Sequence, residues 1–544
     1  MKLSKRILIF ALAGIMTVCT AACGGSDDNG TSGTGEEATK GASNQSYDLV
    51  VKYYSGAYGD EWIKLAAEEF GAEKGVNVQT IPSSDMDCGA ENSLTAGKNL
   101  ADVYIGSSKR WQSWVQNGYI ENITSVYEST VKTSSGDVKI SEYIDPDVVG
   151  RYYTERQVGT GDAYYWVMPF SAMPMSLAYN AGVLTKIPHV SSTAVSAQSV
   201  DASSGKWIAP PANLSEWLAL CEDVNAYKSD DGHKYVPFGW TALAPQQIYY
   251  FMFTWWAQYQ GLENSNIDGQ GSFYDFWNFG NTSQTTLDQT FSSNVFDQKG
   301  LAASLDAIKQ LIIDPEAQAY KNSLSAVNTL TTQELTRALY AERNEERPVI
   351  AMASSFGESE ARLTGVIDSD SDGKNDSDIR FMNIPALDGH ESEKYLYCAN
   401  DDIMFIPSGA EHKDLAKEFL AFLCSEDQLM KFTIRSGGGI RPFGYDARTI
   451  TDESMTEYNK SVFEVYYGST RIYDFPMNAY RQSPFAISLI YTHERPIAFA
   501  EVTPSTVVNM LKKTDGAAVM AEAKRTFEFS KQNYIKKFRM TEIQ

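Results

Sequence analysis

The sequence predicts an α/β fold divided between two lobes, and three observations predict it. Beyond an N-terminal leader and a tether, about 500 residues remain, more than one hydrophobic core usually organises. That stretch opens as strand, helix, strand, a parallel βαβ unit. Further along, Val167–Gly182 (VMPFSAMPMSLAYNAG) reads as an extended segment that ends by turning into a new unit. Pro169 and Pro174 bias the residues before them away from helix, and from Met173 the side chains alternate with the period of a strand.

At the N-terminus, Lys2, Lys5 and Arg6 precede the apolar run Ile7–Val18, and Thr20, Ala21 and Ala22 lead to Cys23. This is an export signal covering residues 1–22, and its apolar run is too short for a stable membrane span. Residues 24–45 hold Gly, Ser, Thr and acids with no large apolar side chain, so with Cys23 they are expected to form a flexible tether. The formal charge of −23 becomes −26 once the three leader cations are gone. So acidic an exterior argues against nucleic acid and against anionic lipid surfaces as partners.

In the mature chain Tyr47–Tyr54 is β-rich. Gly59-Asp60 offers a helix cap ahead of Trp62, Leu65, Ala66 and Phe70, and Gly75 can end that helix. Val76–Ile81 and Ala101–Ile105 follow as strands. Val190–Lys206 is serine-rich and aperiodic, the pattern of a surface insertion. Pro210–Val224 reads as a helix with Leu214, Trp217, Leu218 and Cys221 on one face, and Gln246–Gln260 as a second, with Tyr249, Tyr250, Trp255 and Trp256. Ile403–Pro407 is a strand, and His412–Cys424 places Leu415, Phe419, Phe422 and Leu423 on one helical face. The remainder, after a turn at Gly437-Gly438-Gly439, is mostly helical in pattern. Four cysteines (Cys88, Cys221, Cys398, Cys424) lack metal-site spacing; unpaired, mostly buried thiols are expected, with one disulfide permitted by the compartment.

These phrases, in this order, resemble the bacterial extracellular solute-binding proteins of the maltodextrin-binding type. The resemblance rests on Tyr179-Asn180 at the crossing, Asn117–Thr124 after the third strand, Pro210–Val224, Glu346–Phe356 and Asp414–Glu426. Arg347-Pro348 and Ser355-Phe356 depart from the family phrase, which has Gly-Lys and Ser-Trp there. Ala21-Ala22-Cys23 is similar to a lipoprotein lipobox, with Thr20 where Leu is preferred. The resemblance implies a periplasmic-binding-protein-like (type II) fold with discontinuous lobes and a hinge: 46–172 plus 402–445, and 173–401 plus 446–544. It implies a substrate-binding lipoprotein of an ABC importer, a monomer anchored through Cys23 on the extracellular side of the cell membrane. Such a protein captures a solute between its lobes, delivers it to membrane permease subunits and needs no catalytic residue.

Aromatic residues make up 12% of the chain, and an aromatic face suits the C–H face of a sugar ring, which favours a neutral mono- or oligosaccharide. By the family pattern Tyr54, Trp111, Trp240, Trp255, Trp256, Phe356 and Asp401 border the cleft. Asp368, Asp370, Asp372 and Asp376, with Gly373 at the sixth position, reproduce the spacing of a calcium loop and predict a structural Ca2+; Ile379 stands where the closing Glu is usual. The alternative is a secreted hydrolase. Gly357-Glu358-Ser359-Glu360-Ala361 approaches a nucleophile elbow, with His390, His412 and His493 downstream, but Ala361 replaces the final Gly. Paired carboxylates of a glycosidase are not excluded by motif, because their separation is spatial.

Overall fold

A computed structural model describes residues 46–56, 58–98, 100–107, 111–148, 155–156, 163–229, 232, 234–239, 247–263, 265, 267, 269–274, 290–291, 296–313, 339–340, 349–357, 377–399, 402–473, 509–525, 528 and 541–542. Its two large sheets use strands β1 (Leu49–Tyr54), β2 (Val78–Ser83), β3 (Val103–Ser107), β4 (Met168–Pro169), β5 (Met173–Asn180), β6 (Tyr235–Gly239), β7 (Val349–Phe356), β8 (Ile379–Met382), β9 (Tyr395–Ala399), β10 (Asp402–Phe405) and β11 (Thr470–Tyr473). The first sheet has the order β2-β1-β3-β10-β4, and the second β6-β7-β5-β9-β11 with β8 also on β5. Eight residues long and almost wholly buried, β5 carries β7 along one side and β8 followed by β9 along the other.

The helices that cover these sheets and support the site are α1 (Glu61–Lys74), α2 (Ala90–Thr95), α3 (Trp111–Gln116), α4 (Ala181–Leu184), α5 (Leu214–Ala226), α6 (Gln247–Gln260), α7 (Lys299–Ile308), α8 (Lys413–Phe422), α9 (Glu426–Arg435) and α10 (Glu457–Gly468). In α1, Trp62, Ile63, Ala66, Ala67 and Phe70 form the buried stripe, and Gly75 closes the helix at φ 68°, a left-handed turn cheap only for glycine. Asp60 stands at its N-cap without capping through its side chain; the carboxylate instead takes Lys64 Nζ at 3.3 Å. Asn180 ends β5 and starts α4, its side chain accepting from Val183 N at 2.9 Å.

Two apolar clusters divide the second sheet by strand alternation: Leu177, Tyr397 and Ile472 point to one, Ala178, Cys398 and Tyr473 to the other. The first of these sides is covered by α5, α6 and α7; the other meets α10 and is continuous with the core around the first sheet. Cys88, Cys221, Cys398 and Cys424, the cysteines among the described residues, are free and buried.

Several elements differ from the sequence reading. The second strand starts two residues later than expected. The buried face of α8 is centred on Ala416, Phe419 and Leu420, with Leu415 and Phe422 only partly covered. The tail is not simply helical, since Thr470–Tyr473 forms the edge strand β11; a four-residue strand is too short to show its period.

The serine-rich stretch is an ordered insertion. Its Val200–Asp201 and Lys206–Trp207 pieces pair, and Trp207 is fully buried. Two carboxylates of α5 hold it in place. Asp223 accepts from His189 Nδ1, Val190 N, Ser191 N and Trp207 Nε1 at 2.7–2.8 Å. Glu216 accepts from Ser196 N, Ser199 Oγ and Ala212 N. Periodicity could not reveal this because polar side chains, not an apolar face, tie the segment down.

Candidate functional site

The topology brings one edge of each sheet together. On the first sheet the C-terminal ends of β1, β2 and β3 are Tyr54, Ser83 and Ser107; antiparallel β10 begins opposite Ser107 at Asp402, and β4 ends at Pro169. On the second sheet β7 ends at Phe356, and β5 begins at Met173, opposite the last residue of β9, Ala399. Two of the three passages between the sheets leave and enter through these edges, one from β4 to β5 and one from β9 to β10; the third runs from β10 through α8, α9 and α10 to β11. The first two run side by side: Phe170 N donates to Asp402 O at 3.0 Å and Ser171 Oγ to Asp402 Oδ2 at 2.7 Å. Ala172 N is held by Ile440 O at 2.9 Å. Two adjacent crossings between two sheets have the form of a hinge, and ligands of open α/β sheets bind at strand C-terminal ends.

On the first edge, Tyr54 is half-buried and its ring folds over Gly56, where a Cβ would lie 2.3 Å from the phenol oxygen. The loop after β2 turns back across the end of β3. Ser107 N donates to Met86 O at 2.8 Å, and Cys88 Sγ to Ile105 O at 3.2 Å. Gly106 permits this approach, because a Cβ there would stand 2.5 Å from Met86 O. Cys88 takes φ 58°, unusual for a residue with a side chain. Burial pushes its thiol up to about 12, against a smaller opposing pull from Lys52. The result leaves Met86, an apolar side chain 49% exposed, beside the strand end.

On the second edge, Phe356 is half-buried at the end of β7. Tyr250, in the first turn of α6, meets it edge-on at 6.5 Å and stacks on Tyr397 at 4.9 Å. Tyr458, the second residue of α10, hydrogen-bonds Ser355 Oγ at 2.8 Å and donates to Phe356 O, fixing the backbone beneath the ring.

The residues named from sequence separate accordingly. Tyr54 and Phe356 stand at the two facing edges. Trp255 and Trp256 are fully buried: Trp255 Nε1 donates to Pro385 O and Trp256 Nε1 to Gln298 Oε1, each at 2.8 Å. They lie five and six residues along α6 from Tyr250, about 8 Å deeper at 1.5 Å per residue. Trp111 starts α3 but is 5% exposed and belongs to the core around the first sheet. Trp240, Asp401, Cys23, Asp368, Asp370, Asp372 and Asp376 lie outside the described residues. The carboxylate of Asp378 is taken by Arg380 in a two-bond pair, at 2.9 and 3.1 Å. Tyr250 and Met86 were missed as site residues. Tyr250 lies in the first turn of its helix, where the sequence also offers Tyr249 and does not choose between them, and Met86 left no signal.

For the hydrolase alternative, Gly357 follows β7 at the hinge edge, and Ser359 lies outside the described residues. The histidines that the structure describes stand at opposite ends of the strands. His412 binds Asp102 just before β3, His390 precedes β9 and His189 follows β5. A strand of five residues separates such ends by about 16 Å.

Three solved structures share this fold across nearly their whole length. The GacH receptor of Streptomyces glaucescens, described unliganded and with acarbose, covers 90% of this chain and 99% of its own at 11% identity and TM-score 0.54. The solute-binding protein RafE, in complex with raffinose, covers 88% and 98% at 13% identity and TM-score 0.51. Maltose-bound MalE3 of T. maritima covers 88% and 99% at 13% identity and TM-score 0.52. No curated protein matches by sequence. The profile of the bacterial extracellular solute-binding proteins matches residues 65–460, most of the chain and all the strands of the two sheets except β1 and β11, and this protein belongs to that family.

Proposed function

We propose that this protein is the substrate-binding lipoprotein of an ABC importer, anchored outside the cell membrane through Cys23, and that it delivers a neutral mono- or oligosaccharide to membrane permease subunits. The observation that carries the reading is the pair of facing sheet edges joined by two adjacent crossings, with half-buried rings at both: Tyr54 on one, Phe356 and Tyr250 on the other. Rings in such positions offer flat apolar faces to a solute that also needs hydroxyl partners. The similar folds were solved with acarbose, raffinose and maltose, which agrees with a saccharide.

In this reading the lobes are residues 46–172 with 402–445 and residues 173–401 with 446–544. The protein acts as a monomer and catalyses nothing. A solute that touches both lobes better in the closed form shifts the population toward closure, and the closed form is what the permease receives. Calorimetric titration with a panel of neutral saccharides, peptides and polyamines tests this: a saccharide should bind alone among them. Binding of peptides with no response to any sugar overturns the substrate assignment, and release of product from a bound oligosaccharide overturns the transport assignment.

A further inference from the structure

Away from the ligand edges, one buried polar cluster joins the two sheets. Asp145 follows the 140–143 helix packed beside the first sheet, and its backbone is anchored there: Asp145 N donates to Pro442 O at 2.9 Å, and Ile144 pairs with Phe443. Its side chain reaches β11, the edge strand of the second sheet. Asp145 Oδ2 accepts from Arg471 Nη2 at 2.8 Å, Arg471 Nε at 3.0 Å and Tyr473 Oη at 2.9 Å. The Arg471 guanidinium lies over the Tyr466 ring at 4.8 Å, with Tyr466 on α10. Asp145 is 8% exposed and Tyr473 2%. A carboxylate so far out of water is retained only with well-placed donors, and three converge on one oxygen.

The position of this cluster gives it a mechanical consequence. β11 lies beside β9, whose end at Ala399 leads into one of the crossings; Arg471 pairs with Leu396, three residues before that end, so it sits about 10 Å along the strand from the hinge line. A lobe rotation on the order of 20° about that line shifts it by about 3 Å, enough to break a charged hydrogen bond of this length. We propose that Asp145, Arg471 and Tyr473 form a latch between the lobes that holds the conformation described here and sets how readily the lobes rotate. They are positioning residues, acting on solute affinity through the lobe equilibrium. The inference rests on the hinge reading above.

The test is a pulsed spin-label distance measurement across the lobes of the full chain. Labels are placed at Asp137→Cys and Ala202→Cys, both exposed, while the thiols of Cys88, Cys221, Cys398 and Cys424 are buried. The wild-type background is compared with Tyr473→Phe, which removes one hydroxyl bond, and with Asp145→Asn. The expected result is a ratio of the wild-type unliganded distance to the other distances reduced severalfold in Tyr473→Phe and about tenfold in Asp145→Asn, the scale of losing charge-assisted hydrogen bonds. If both variants keep the wild-type circular dichroism and an unchanged distance distribution, the latch is refuted. Should Asp145→Asn fail to fold, Tyr473→Phe alone decides. A distribution that responds to the variants but to no saccharide, peptide or polyamine upholds the latch and counts against solute-driven closure; one that responds to a solute but to neither variant does the reverse.

Discussion

Replacing Asp223 with Asn tests whether the serine-rich insertion is tied down as the structure shows. A carboxylate can only accept, so both oxygens are used: Oδ1 by Val190 N and Ser191 N, Oδ2 by Trp207 Nε1 and His189 Nδ1. Asn can keep one oxygen toward the two backbone donors, but its NH2 then faces the indole N–H. His189 can answer by moving its proton to the other ring nitrogen; Trp207, fully buried, cannot. The orphaned indole costs about 1–3 kcal/mol, and loss of the charge weakens each backbone bond by about 1 kcal/mol. Asp223→Asn should therefore destabilise the protein by about 3–5 kcal/mol. The assay is equilibrium urea unfolding followed by tryptophan fluorescence, with saccharide affinity of the folded variant unchanged because the insertion lies beyond the far end of β5 from the hinge. A loss below about 1 kcal/mol, ordinary for a surface substitution, would refute the four-donor description.

Tyr250→Ala and Phe356→Ala should each weaken binding of the saccharide found by calorimetry about tenfold, equivalent to about 1.4 kcal/mol, with little change in melting temperature. Trp256→Ala should cost about 3–5 kcal/mol of stability through its cavity and the orphaned Gln298; the opposite pattern would relocate the site. Burial alone would raise the Glu69 carboxyl, but hydrogen bonds from Lys431, Arg435 and Gln428 outweigh it and hold it at about 2 rather than 4.5. Being depressed in the folded protein, this carboxyl contributes stability that is complete above pH 4.5 and lost as pH falls through about 2. In urea melts across that window the advantage of wild type over Glu69→Gln should shrink toward zero, and an advantage independent of pH contradicts the α1 to α9 tie. If Asp368, Asp370, Asp372 and Asp376 hold calcium, a chelator should lower the melting temperature and added Ca2+ restore it; an unchanged melt removes the ion from the account.

The chain by itself determined what depends on neighbours in sequence. Alternation over Met173–Asn180 marks β5, and Asp60 to Gly75 bound a helix because stripe and left-handed stop are local. Ordered phrases were enough to indicate a solute-binding fold. Which side chains meet a solute was decided only by tertiary pairing. Ser107 lies opposite Asp402 and Phe356 opposite Met175, so both edges depend on strands from distant parts of the chain. Trp255, Trp256 and Tyr250 share one helix and one residue class, and only the depth of each along α6 separates core from edge. Asp145 and Arg471 could not be matched from sequence, because a buried charge states its need for a partner without naming it. Periodicity reports which face of an element is covered; what covers it is settled when distant segments pack.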